Sequence, residues 1–70
     1  MNKKLSMVVK ALENKIMLTE CRGFKYKGVR LSTSDANTII FYIERYAANG
    51  SFYGLMDPSG GVKRVLDQVV

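Results

Sequence analysis

Seventy residues, 47% of them apolar and 24% charged, suffice for one compact domain spanning residues 1–70 and for one small core. This balance excludes a disordered chain, and no apolar run approaches the length of a transmembrane helix. A single cysteine, Cys21, rules out an intramolecular disulfide, and the lack of histidine removes the commonest general base, the usual catalytic triads and most zinc sites.

The net charge of +5 is unevenly spread. Residues 1–30 carry Lys3, Lys4, Lys10, Lys15, Arg22, Lys25, Lys27 and Arg30 against Glu13 and Glu20, a balance of +6. Residues 31–70 carry Arg45, Lys63 and Arg64 against Asp35, Glu44, Asp57 and Asp67, a balance of −1. An anionic partner is therefore expected to dock on the N-terminal part. Met1-Asn2-Lys3-Lys4 opens the chain with basic residues, but no signal-peptide pattern follows, so a cytoplasmic protein without a membrane partner is expected.

In chain order, Leu5, Val8, Val9, Leu12 and Ile16 recur at helical spacing, which predicts an amphipathic helix over about residues 3–14. Lys3, Lys4 and Lys10 lie off the apolar stripe, as a solvated face or as contacts to an anion. A β-hairpin is expected next, with a turn at Arg22-Gly23 that sets Glu20 across from Lys25. Phe24 and Tyr26 have opposite parity to Val29 and Leu31. A bulge at Gly28 would shift the phase, turn all four inward and leave Lys25, Lys27 and Arg30 together outside. The competing reading runs the first helix to Cys21 and caps it at Gly23.

Ser32-Thr33-Ser34-Asp35 matches a capping box, with Leu31 and Ala36 placed for a hydrophobic staple. The helix that follows presents Ala36, Ile39, Ile40, Ile43, Tyr46 and Ala47 on one face and should stop at Asn49-Gly50. Asn49-Gly50-Ser51 also fits a glycosylation sequon, but is read as that helix stop. Phe41 points away from the apolar stripe, beside Arg45, with Tyr42 on the flank. Either the terminal helices cover this side as well, or these residues anchor a partner protein or a second copy of the chain. A homodimer would enlarge a core limited by chain length.

The alternation in 51–56 (SFYGLM) suits a short third strand. Val62, Val65, Leu66 and Val69 then predict a last helix. Asp57 as N-cap and Pro58 at the first helical position would start it early, whereas Ser59 or Gly60 as cap would start it late. Gly60-Gly61 with Lys63 and Arg64 nearby invites comparison with a Walker loop, but no Gly-Lys pair exists in the chain and the motif fails. A phosphate contact at the start of this helix, through Ser59, Gly60, Lys63 and Arg64, remains the functional reading. The predicted fold is thus α+β: helix, β-hairpin, helix, short strand, helix.

From about residue 25 to residue 69, the order of basic extended segment, capped helix and second helix resembles ribbon-helix-helix DNA-binding proteins. The long connection over residues 50–59, together with the helix and partner strand before the basic strand, departs from that pattern, and membership is not inferred. Scattered carboxylates and a lone cysteine, read as a small hydrophobe at a strand end, offer no catalytic set, metal site or cofactor motif. The expectation is a non-enzymatic regulator that binds nucleic acid through Lys3, Lys4, Lys10, Arg22, Lys25, Lys27 and Arg30. The alternative is an adaptor or inhibitor, of the kind mobile elements encode, that docks through Phe41, Tyr42 and Arg45 on an acidic surface of a larger enzyme or complex.

Overall fold

The computed structural model describes residues 3–19, 23–51 and 60–69. In chain order these form α1 (Lys3–Thr19), β1 (Phe24–Tyr26), β2 (Val29–Leu31), α2 (Thr33–Asn49) and α3 (Gly61–Val69). The expected third strand over 52–56 lies outside the described residues.

α1 is longer than its apolar stripe suggested. Leu5, Val8 and Leu12 are buried, and Val9 and Ile16 pack against them. The helix then runs on to Thr19, so residues 16–19 do not form the first strand of a hairpin. The expected turn at Arg22-Gly23 and the pairing of Glu20 with Lys25 fall on residues 20–22, which lie outside the described residues.

The hairpin turns at Lys27-Gly28. Both residues take positive φ, 50° and 80°, the backbone signs of a type I′ turn whose twist matches its flanking strands. The strands pair antiparallel, with Phe24 opposite Leu31, Lys25 opposite Arg30 and Tyr26 opposite Val29. Residues directly opposite one another share a face, so a two-residue turn resolves the parity conflict without a bulge. Phe24, Val29 and Leu31 are buried and Tyr26 is half-buried, while Lys25 and Arg30 are exposed on the other face.

α2 begins as its sequence dictates. The Ser32 hydroxyl accepts from the Asp35 N–H at 3.0 Å, and the Asp35 carboxylate accepts from the Ser32 N–H at 3.3 Å, which closes the capping box. Leu31 and Ala36, the staple pair, are both buried. At the other end Gly50, at φ 77°, donates its N–H to the Tyr46 carbonyl at 2.7 Å and stops the helix.

α3 begins late. Gly60 takes φ 75° and its carbonyl accepts the Arg64 N–H at 3.3 Å, so Gly60 acts as the cap, in line with the late start; Asp57 and Pro58, offered for an early one, lie outside the described residues. Val62, Val65, Leu66 and Val69 are all buried. The Gln68 side-chain amide donates to the Lys27 carbonyl at 3.4 Å and thereby ties α3 to the hairpin turn.

α2 lies at the centre of these elements, packed against α1, α3 and β2, and the core gathers Leu12, Leu31, Ile39, Ile43 and Leu66 from all of them. The chain is a small α+β domain, and the basic stretch from residue 25 that the ribbon-helix-helix resemblance took as one extended segment is divided between β1 and β2 by the turn at Lys27-Gly28. None of the described helices is long and apolar enough to cross a membrane.

Candidate functional site

The hairpin concentrates the basic side chains. Its register places Lys25 directly across from Arg30 on the solvent face, where their Cβ atoms stand roughly 4.5–5.5 Å apart. Lys27 does not share that face, in correction of the sequence reading. A positive φ sets it at the tip of the hairpin, with Nζ 5.6 Å from the centroid of the Tyr26 ring. The half-buried Tyr26 phenol is pushed above its ordinary pKa by desolvation.

The first turn of α1 meets this tip. Lys3, Lys4 and Lys27 line an open groove of about 500 Å³ whose remaining walls are Met7, Val8, Ala11, Tyr26 and Val69. Met7 is 62% exposed. Lys10 is exposed on α1 and takes no part in lining the groove. Because Tyr26 and Lys25 lie on opposite faces of β1, the groove and the Lys25–Arg30 pair are separate surfaces.

The remaining candidates disperse. Arg22 and Ser59 lie outside the described residues. Lys63 forms an exposed ion pair with Asp67, 3.1 Å apart and one helical turn on. Arg64 is exposed, and Gly61 is buried against the core. Gly60 thus has a reason in the fold, its positive φ.

On α2 the expected aromatic pair divides. Tyr42 is buried and belongs to the core, whereas Phe41 remains 53% exposed, so the terminal helices do not cover that side. The two rings meet edge to face at 5.4 Å, and the Arg45 guanidinium lies 5.4 Å from the Phe41 centroid. Thr33, Ser34, Asn37 and Thr38 continue this side of the helix as a polar groove. Thr38 is anchored there by donating its hydroxyl to the Ser34 carbonyl at 2.9 Å.

Among the described residues no three His, Cys, Asp or Glu side chains gather where they could hold a metal ion. The groove at α1 and the hairpin tip is absent from the sequence reading. Its signal was present in Met7 and Ala11, apolar residues that fall off the stripe carried by Leu5, Val8 and Leu12.

No family model, no curated protein and no solved structure matches this chain.

Proposed function

We propose that this chain is a small non-enzymatic nucleic-acid-binding protein whose principal contact is the outer face of the hairpin, through Lys25 and Arg30. The observation that carries this reading is the cross-strand pairing of two like charges. Directly opposed like charges weaken a hairpin, by an amount comparable to the roughly 0.2–1 kcal/mol that a favourable pair contributes. A glutamate at either position would have stabilised the turn. Local violations of this kind concentrate at functional sites, where a bound ligand compensates for them.

Phosphate groups held one each by Lys25 and Arg30 screen the repulsion and gain a charge-assisted hydrogen bond apiece. Two antiparallel strands also have the cross-section that a DNA major groove admits. Lys27 at the tip adds a third positive charge at the end of the ribbon. The excess of +6 over residues 1–30, set against −1 over the rest, orients the molecule with this end toward the polyanion.

The test is Lys25→Glu, read in two assays. Chemical denaturation should show a gain in stability of a few tenths to about 1 kcal/mol, because the new carboxylate faces Arg30. Fluorescence anisotropy with labelled duplex DNA and with a labelled RNA hairpin should show binding lost to both. A variant that is stabilised and still binds either nucleic acid as well as the wild type sinks the assignment.

A further inference from the structure

The groove between the start of α1 and the hairpin tip has a different chemistry from the outer hairpin face, and neither the fold nor the phosphate contact accounts for it. Its floor is apolar, with Met7 62% exposed and Ala11 and Tyr26 half-buried. Its rim carries Lys3, Lys4 and Lys27, and among the described residues no acidic side chain lines it. Past Ala11 the same side of α1 turns polar at the exposed Asn14, so the apolar floor is confined to the first turns of the helix. Met7 and Ala11, four residues apart, lie on one side of the helix over about 6 Å of its axis.

We infer that this groove is a docking surface for an acidic amphipathic helix of another protein. Charge complementarity selects the occupant: a lysine rim around an apolar floor favours a ridge of apolar side chains flanked by carboxylates. The concave shape favours a helix over a lipid surface, because Tyr26 and Lys27 of the hairpin line the groove together with Met7 and Ala11 of α1, whereas a flat bilayer engages a continuous open apolar face. The apolar floor also disfavours phosphate, which seeks donors and water. A second copy of this chain meeting the groove across a two-fold axis would set lysines against lysines. With nucleic acid on the outer hairpin face and an acidic helix in the groove, the chain would act as a bridge between the two.

A display library of helix-forming random peptides of about 14 residues, four turns of helix, selected on the full chain, tests this directly. Enriched peptides should carry apolar residues at i, i+3 or i+4 and i+7, with Asp or Glu alongside them. The best of them, labelled for anisotropy, should bind at least about tenfold more weakly to Met7→Lys, to Ala11→Arg and to the double variant Lys3→Glu with Lys4→Glu. It should bind Lys25→Glu as well as wild type. Circular dichroism of each variant establishes that the helices persist; all of these side chains are exposed except Ala11, which is half-buried. Failure to enrich, enrichment without acidic residues, or a selected peptide indifferent to the groove variants would overturn the inference. So would displacement of the peptide by phosphatidylserine vesicles or by duplex DNA, which would assign the groove to a membrane or to nucleic acid.

Discussion

Gly60 holds φ at 75° where α3 begins, and a Cβ built there would meet no heavy atom within 4 Å. The constraint is therefore in the backbone alone, since an L-residue in the left-handed region costs about 1–2 kcal/mol. Part of that loss is recovered because alanine restricts the unfolded chain more than glycine does. Gly60→Ala should thus lower stability by about 1 kcal/mol, and Gly60→Asn by less, because asparagine tolerates this conformation. Urea denaturation midpoints should fall in the order wild type, Asn, Ala; an alanine variant as stable as wild type would contradict the strain. Tyr26 offers a second single-residue test, this one of pH. Burial raises its pKa in the folded state above the unfolded value of about 10, so the folded chain holds the phenolic proton more tightly. That contribution is intact below about pH 10 and is lost as pH rises above it. Denaturation at pH 9 and pH 11 should show wild type losing more stability than Tyr26→Phe, a comparison in which the titration of the lysines largely cancels.

Elements differ in how much of their geometry is written locally. The capping box of α2 is complete within Ser32–Asp35, and its stop rests on one glycine, so both ends could be read from the sequence. The face of α3 is equally explicit in Val62, Val65, Leu66 and Val69. Its start is harder to place, because Asp57-Pro58 supplies the more familiar N-terminal signal, while a left-handed glycine marks the C-terminal end of a helix far more often than its start. The hairpin was misplaced for a related reason. Arg22-Gly23 and Lys27-Gly28 are equivalent turn signals, and what selects the second is tertiary: α1 consumes residues through Thr19, and Gln68 of α3 binds the Lys27 carbonyl. The inversion of parity between Phe24/Tyr26 and Val29/Leu31 was itself the mark of a two-residue turn between them. The turn is also poorly optimised, since lysine occupies a position at φ 50° that asparagine prefers. Lys27→Asn should stabilise the domain by a few tenths to about 1 kcal/mol. The same change should weaken binding of an acidic helix to the groove by removing a rim charge. Calorimetric melting together with peptide anisotropy checks both, and a variant that melts lower than wild type would show that the Lys27–Tyr26 ring contact outweighs the turn preference.

For the whole molecule the question is whether its charge acts as a diffuse field or through built contacts. A net +5 on seventy residues attracts any polyanion, and a purely diffuse attraction would make every cation nearly equivalent. The hairpin argues for local contacts, because Lys25 and Arg30 are held at fixed spacing by the strand register while Lys10 lies exposed on α1 outside any described cluster. Counterion release separates the two cases, since the logarithm of the binding constant falls with the logarithm of salt concentration by about 0.9 for each phosphate neutralised on B-DNA. Contacts through Lys25, Arg30 and the tip lysine imply a slope of about −2 to −3 for the wild-type chain. Arg30→Gln should make that slope shallower by about 1, and Lys10→Gln should leave it nearly unchanged. Lys3 supplies an internal control, because unlike Lys27 it belongs to the groove alone, and Lys3→Gln should leave the nucleic-acid slope close to wild type while weakening the acidic peptide. Equal changes of slope for Arg30, Lys10 and Lys3 would mean that the charge works as a field, and the hairpin would then lose its special standing as the contact surface.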